Sequence, residues 1–324
     1  MTDEASELAS RVIGGDRRAL ARAITIVEST RPDHRQLAAD LLDALLPRTG
    51  QAVRVGISGP PGVGKSTFIE ALGLHLAAAG HRLAVLAVDP SSTRSGGSVL
   101  GDKTRMTELA RHPDAYIRPS PSGGTLGGVA RRTREARLVC EGAGFDVVLV
   151  ETVGVGQSEV AVDDMVDVFV VLVAAGGGDE LQGIKRGVME LADVVVVTKA
   201  DGDLLPAARR SAADHRIALH LLRPKHEGVT PEVVLCSAVT GQGVEETWLA
   251  VSKLRAALEV DGRLAERRAS QDVRWLWQEV QDEMVRRVRE REDRGERVAD
   301  LESAVRSGRR SPVSAAVEIL GWLD

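Results

Sequence analysis

The sequence predicts an α/β fold, a mostly parallel central sheet built around a phosphate-binding P-loop, with N-terminal and C-terminal helical extensions. Three observations carry this. Six short runs, Val53–Ile57, Leu83–Val88, Val147–Val150, Val168–Val173, Val194–Val197 and Val233–Leu235, are nearly continuous in Val and Leu rather than alternating, as strands buried on both faces are. Helical stretches separate them, the alternation expected of a parallel sheet. The first run opens directly into Gly59-Pro60-Pro61-Gly62-Val63-Gly64-Lys65-Ser66, a full match to the pattern G-x-x-x-x-G-K-[ST].

The elements follow in order. Residues 1–50 read as a helical extension: Leu20, Ile24 and Val27 fall on one face, Leu37, Leu41 and Leu45 repeat the pattern, and Pro32 and Pro47 punctuate it. This is too little material for a separate domain and is expected to pack on the main one, residues 51–260. There Thr67–Ala79 reads as the helix after the P-loop, and Ala115–Arg118 as a further short strand. Residues 261–324 change character. Ser270 reads as the cap of a helix in which Val273, Trp277, Val280, Met284 and Val288 recur at three- and four-residue steps. The segment holds 13 Arg and 14 acidic residues, so its charge balances. Two readings stay open: an amphipathic helix packed on its own domain, or a dimerisation arm.

Composition narrows the function classes. The 324 residues are 43% hydrophobic and 27% charged, ordinary for a globular chain. Aromatics make up 2%, so the core must be Val, Leu, Ile and Ala. The net charge of −5 gives no global basic footprint for nucleic acid. Cys140 and Cys236 are the only cysteines and imply no disulfide framework. The polar, acidic start lacks a signal sequence, and no apolar run approaches the ~20 residues that span a bilayer. A cytoplasmic protein is the expectation.

The glycines of the P-loop let backbone amides wrap around phosphate oxygens at a helix N-terminus. Lys65 supplies positive charge to the β- and γ-phosphates and the Ser66 hydroxyl ligates Mg²⁺; Thr67 is a further nucleotide contact. Acidic partners for the metal are sought at strand ends. Asp89 ends one strand, Glu151 ends another, and Asp102 lies in the polar loop Ser91–Lys103. Each also suits a helix cap or a turn. Lys65 and Glu151 are the candidate catalytic residues. The Gly- and Ser-rich stretch Ser91–Gly101 and the stretch Gly154-Val155-Gly156-Gln157 suit loops ordered by γ-phosphate and released after hydrolysis, or ordinary surface loops.

Thr198-Lys199-Ala200-Asp201 follows a strand and looks like the guanine motif N/T-K-x-D. An ionised Asp accepts hydrogen bonds from the guanine ring N–H and its exocyclic amine, which adenine does not offer in that arrangement. The Lys199 stem can lie along the base. Cys236-Ser237-Ala238 resembles the final Ser-Ala element whose backbone amide meets the base oxygen. Thr198 stands where Asn is usual. An amide contact is then lost, which predicts looser guanine preference and some use of ATP.

The segments Val88-Asp89-Pro90-Ser91-Ser92-Thr93, Gly101-Asp102-Lys103-Thr104-Arg105-Met106, Glu151-Thr152-Val153-Gly154-Val155-Gly156-Gln157-Ser158-Glu159 and Gly178-Asp179-Glu180-Leu181-Gln182-Gly183-Ile184-Lys185 resemble the MeaB/ArgK family of methylmalonyl-CoA mutase-associated GTPases over nearly the whole chain. The resemblance implies a homodimer that binds GTP or GDP with Mg²⁺ and acts as a chaperone for adenosylcobalamin-dependent methylmalonyl-CoA mutase, gating cofactor loading and protecting the enzyme. It implies that Asp89, Asp102 and Glu151 complete the metal and switch site, that Asp201 reads guanine, and that Asp179, Gln182 and Lys185 relay nucleotide state from an extra switch at residues 177–185. Two alternatives come with it, a kinase acting on a transport protein and a metal-delivery GTPase. The second lacks a Cys/His ligand pattern here.

Val155 follows Gly154 where a water-orienting Gln would serve, and Gln157 comes two positions late. Slow hydrolysis, accelerated by the partner, is the expectation. Arg131, Arg132, Arg134 and Arg137 read as a solvated helix face or as a dock for an acidic partner.

Overall fold

The computed structural model describes residues 2–88, 106–119, 126–152, 158–175, 186–290 and 295–322. Contacts divide the chain into two compact units, Met1–Arg268 and Ala269–Asp324.

The first unit begins with three helices, α1 (Asp3–Ile13), α2 (Arg17–Val27) and α3 (Pro32–Leu45). Thr2 and Asp16 cap the first two by accepting hydrogen bonds from backbone amides of the opening turns, and Pro32 opens the third. There follow β1 (Val53–Ser58), α4 (Lys65–Ala78), β2 (Leu83–Val88), α5 (Thr107–Arg111), β3 (Ala115–Arg118), α6 (Leu126–Gly142), β4 (Val147–Thr152), α7 (Ser158–Asp163), β5 (Val168–Ala174), α8 (Arg186–Leu191), β6 (Val194–Thr198), α9 (Leu205–Leu221), β7 (Glu232–Leu235) and α10 (Val244–Val260).

Among the described residues seven strands form one parallel sheet in the order β3-β2-β4-β1-β5-β6-β7. β1 lies at its centre, flanked by β4 (Val55 opposite Leu149) and β5 (Val55 opposite Val168). The strand positions read from the Val/Leu runs therefore hold. Alternate residues feed two cores. Ala84, Leu86, Val148, Val150, Phe169, Val171 and Val195 join α1–α3 and α6 on one face. Val55, Ile57, Val85, Leu149, Val170 and Val196 join Phe68, Ile69 and Leu72 of α4 and Val244 and Val251 of α10 on the other. With both faces covered, the inner strands β4, β5 and β6 leave almost no position for water, which is why their pattern is continuous.

The arginines of α6 correct the sequence reading. Arg134 and Arg137 face inward. Arg134 pairs with Asp164 at 3.0 Å. Arg137 donates to Glu141 Oε1 at 2.6 Å, and Arg54 of β1 donates to both oxygens of the same carboxylate at 2.8 and 3.1 Å. Burial alone would raise the Glu141 pKa, but the charges of Arg137 and Arg54 hold it at about 2.

Helix α11 runs from Arg263 to Glu290, so Ser270 lies inside it rather than capping it. The helix starts earlier because Leu264 is buried in the core of the first unit. In addition Arg268 donates to Asp167 Oδ2 at 2.7 Å, and Arg267 to Asp163 Oδ1 at 2.9 Å. The second unit carries the rest of α11, then α12 (Gly295–Arg306) and α13 (Pro312–Leu320). Of the predicted stripe, Val288 is buried, whereas Val273, Trp277, Val280 and Met284 are exposed, Trp277 by 61%. Among the described residues no helix is long and apolar enough to cross a membrane.

Candidate nucleotide site

The site lies at the carboxyl ends of the central strands, the edge where parallel α/β sheets bind ligands. β1 ends at Ser58 and hands the chain to the loop Gly59–Gly64. Gly59 has φ of +155°, and a Cβ there would lie 2.6 Å from the Leu172 carbonyl oxygen of β5. Only glycine lets the loop leave the sheet this close to its neighbour. Pro60 is half-buried, Pro61 and Gly62 are exposed, and Val63 turns into the core. Gly64, left-handed, caps α4.

Lys65 opens α4 and folds back over the loop, donating from Nζ to the carbonyls of Gly59 at 2.7 Å and Pro60 at 3.2 Å. Its ammonium thus sits on the loop rim, where the anion would lie. Ser66 is half-buried and Thr67 exposed on the same first turn. Glu151, 8% exposed, lies beside β1, opposite Ile57. The next residue, Thr152, hydrogen-bonds to Ser58 Oγ at 2.9 Å, joining the end of β4 to the start of the P-loop. Asp89 and Asp102, the stretch Gly154–Gln157 and the switch residues Asp179, Gln182 and Lys185 lie outside the described residues.

The segment Thr198–Asp201, the candidate base motif, stands beside this loop. Thr198, buried at the end of β6, brings its hydroxyl to 2.8 Å from the Val63 carbonyl and 3.1 Å from that of Val173. Lys199 has φ of +56°, a backbone conformation that costs a non-glycine residue energy and clusters at functional sites. Its Nζ donates to the Gly62 carbonyl at 2.8 Å. Replacing the usual Asn with Thr198 therefore does not leave the position without a polar contact.

Asp201 is oriented by the last loop. The Ser237 hydroxyl donates to Asp201 Oδ2 and accepts from the Thr240 amide at 3.2 Å. Cys236 ties this loop to β6: its amide donates to the Val197 carbonyl at 2.8 Å, and its carbonyl accepts from Ala200 at 3.1 Å. Burial pushes the Cys236 thiol up to about 12, so it packs rather than reacts. Gly243 closes the loop with φ of +82°, and a Cβ there would lie 1.9 Å from the Leu235 carbonyl.

A cavity of about 300 Å³ joins the two halves. Val63, Gly64 and Thr67 line it from the phosphate side, and Thr198, Lys199, Asp201, Cys236 and Ala238 from the base side. Phe68, Leu204 and Val239 line it as well and were missed by the sequence reading. Phe68 reads as an ordinary core residue. Leu204 and Val239 are single apolar residues in polar loops, and their only signal was position: three residues after Asp201, and next after Ala238. Leu204 is 44% and Val239 85% exposed, apolar lips suited to a flat base. Among the described residues no cluster of three or more His, Cys, Asp or Glu side chains is placed to hold a metal.

Comparison with known proteins places the chain in a family. The family model of the methylmalonyl-CoA mutase-associated GTPase MeaB matches residues 20–293. A mouse protein, the mitochondrial methylmalonic aciduria type A homolog, is 50% identical over 315 residues, covering 94% of this chain and 76% of the relative. GTPase ArgK of Escherichia coli is 49% identical over 295 residues, covering 90% and 89%. Among solved structures, the crystal structure of LAO/AO transport system kinase aligns with 100% of this chain and 99% of its own, at 39% identity and a TM-score of 0.76.

Proposed function

This chain belongs to the MeaB family of mutase-associated GTPases, and from that premise we propose that it couples GTP hydrolysis to the care of an adenosylcobalamin-dependent methylmalonyl-CoA mutase, gating cofactor loading and protecting the enzyme. That the chain is a P-loop GTPase follows from the family and from relatives named as GTPases. The mutase partnership rests on the family description and on the mouse relative.

The observation that carries the nucleotide reading is the single cavity running from the P-loop to Asp201. In this reading the amides of Gly62 to Ser66 cradle the phosphates. Lys65 leaves the Gly59 and Pro60 carbonyls to meet the β- and γ-phosphates, and Asp201 accepts from the guanine edge while Ser237 holds its rotamer. The hydroxyl of Ser66 and the carboxylate of Glu151 are oxygen donors of the kind Mg²⁺ takes, and Asp89 and Asp102 complete the set. When bound, the ion neutralises charge that develops between the β- and γ-phosphates. Hydrolysis by such a site needs little beyond positioning and charge, so partner binding can set its rate by ordering loops. Asp179, Gln182 and Lys185 are the residues proposed to report nucleotide state to the partner.

The exposed row Val273, Trp277, Val280 and Met284 supports α11 as a homodimerisation arm, since such a row is a seam for a second helix.

The test is phosphate release from GTP, with ATP as control, with and without purified methylmalonyl-CoA mutase. GTP-selective turnover that rises with the mutase supports the proposal; equal rates with and without it leave a GTPase with another client. The name of the aligned crystal structure raises a second reading, phosphoryl transfer to a transport protein. Label from γ-labelled GTP appearing on protein rather than as free phosphate would establish it.

A further inference from the structure

We infer that Glu70 is a positioning residue for the metal: it pins α5 to the face of α4 that carries Ser66, and so fixes the point from which the chain reaches back to Asp102. The inference rests on the reading of the site as one for guanine nucleotide with Mg²⁺ at Ser66.

Helix α5 is not capped by its own N-cap side chain. That residue is Met106, which makes no side-chain capping hydrogen bond, and the start of a helix leaves amides that need acceptors. Glu70 of α4 supplies one from outside. Its Oε1 accepts from the Glu108 amide at 2.9 Å and lies 3.5 Å from the Leu109 amide. One turn further along α4, a Cβ on Gly73 would lie 2.6 Å from a δ-carbon of Leu109, so the two helices meet closely there. Met106 and Leu109 are buried in the same core as Phe68, Ile69 and Leu72. That core keeps α5 on α4; the carboxylate sets where along α4 it begins.

Ser66, Glu70 and Gly73 stand at i, i+4 and i+7, one face of α4. Leu109 meets this face at Gly73 and Glu108 meets it at Glu70, so α5 read backwards runs toward the phosphate loop. Glu70 is about 6 Å from Ser66 along the helix axis. Asp102 precedes Met106 by four residues, a tether of at most about 14 Å. Two of the oxygen donors proposed for the metal are thus referred to one helix face, and Glu70 is the polar contact between them. An anchor fixed in advance leaves less order for metal binding to supply.

The experiment is mant-GMPPNP binding across a Mg²⁺ titration, with thermal midpoints, for wild type, Glu70→Ala, Glu70→Gln, Asp102→Ala and the double variant Glu70→Ala/Asp102→Ala. Alanine favours helix, so α4 itself is not weakened. Loss of one hydrogen bond predicts that Glu70→Ala needs roughly threefold to tenfold more Mg²⁺ for half-saturation. Its affinity for the nucleotide in EDTA should match wild type. Glu70→Gln keeps an acceptor oxygen and should stay close to wild type. The double variant should be no worse than Asp102→Ala, because the two residues act in series. A wild-type Mg²⁺ requirement in Glu70→Ala overturns the inference, as do effects of the two substitutions that multiply. Gln as poor as Ala overturns it too, since the charge would then act on the ion directly. Should Glu70→Ala not fold, Glu70→Leu also lacks the acceptor, and a wild-type Mg²⁺ requirement there refutes the inference. A wild-type chain that binds no mant-GMPPNP refutes the nucleotide reading instead, and binding indifferent to Mg²⁺ refutes the metal reading.

Discussion

The Ser237 hydroxyl donates a hydrogen bond to Oδ2 of Asp201, across 36 residues of chain. This contact fixes the carboxylate that would meet the base, and Asp201 lies on the wall of the cavity that Thr67 and Gly64 also line. Asp201→Asn turns an acceptor into a donor. GDP affinity should fall by roughly 100-fold, as expected for losing two hydrogen bonds to a charged group, while xanthosine diphosphate gains. Ser237→Ala should cost less, about tenfold or under, by freeing the rotamer. Calorimetric titration with GDP and xanthosine diphosphate decides it, and unaltered GDP binding by Asp201→Asn would exclude this residue as the base reader.

Two glycines should not tolerate a methyl group. Gly243→Ala would drive Cβ into the Leu235 carbonyl at 1.9 Å at a left-handed φ, so a loss of roughly 3 kcal/mol or more is expected in urea unfolding. Gly59→Ala meets the Leu172 carbonyl at 2.6 Å. It should displace the P-loop and weaken nucleotide binding more than it lowers stability. A Gly59→Ala protein with native mant-GDP affinity would contradict the close approach described.

Lys65→Ala removes the charge proposed to meet the β- and γ-phosphates, and GTP turnover should fall by about 100-fold or more. Ser66→Ala should raise the Mg²⁺ concentration needed for half-maximal turnover. Phosphate release across a magnesium titration separates the two effects, and a Ser66→Ala curve superimposed on wild type would remove Ser66 from the metal site.

The Arg54–Glu141–Arg137 cluster predicts an acid limb to stability. Glu141 is held at about 2, below its ordinary 4.5. Its contribution is therefore fully present above pH 4.5 and is lost as pH falls from there through about 2, to a depth on the order of 3 kcal/mol. Glu141→Gln should flatten that limb. It should also cost about 3–5 kcal/mol at pH 7, because two buried guanidinium groups lose their counter-charge. Urea midpoints of both proteins at pH 7, 4 and 3 test it; parallel curves would show that Glu141 carries no such linkage.

The arm proposal gives a fifth test. Trp277→Asp places a charge in the exposed apolar row of α11 and should yield monomer by light scattering at concentrations where wild type is dimeric. The fold of the first unit, read by mant-GDP affinity, should be unaffected. Wild type that is monomeric throughout would retire the arm.

Much of this architecture was legible in the sequence, for a physical reason. A strand covered on both faces favours apolar residues at successive positions, so Val147–Val150 and Val194–Val197 announce themselves without an amphipathic pattern. The P-loop was legible because close backbone approach restricts its composition. Elsewhere the sequence misled. The start of α11 was misplaced at Ser270 because Arg267 and Arg268 look like surface charge, although both reach acidic groups of the first unit. Arg134 and Arg137 misled in the same way: a buried guanidinium with a carboxylate partner has the same letter as a solvated one. Leu204 and Val239 escaped notice because their role depends on two loops meeting, which no single segment encodes.

The central place of β1 in the sheet has a consequence for biosynthesis. Its hydrogen-bonding neighbours begin at Val147 and Val168. A nascent chain that has emerged only as far as α6 carries the complete phosphate-binding motif and no strand to either side of it. Closing such distant pairs is slow, because chain entropy is lost before any contact compensates. GTP in the cell therefore cannot nucleate this protein as it is translated. It can trap the protein only once the loop at Cys236 and Ala238, which completes the cavity, has left the ribosome, so the nucleotide acts on the last stages of folding rather than on its beginning.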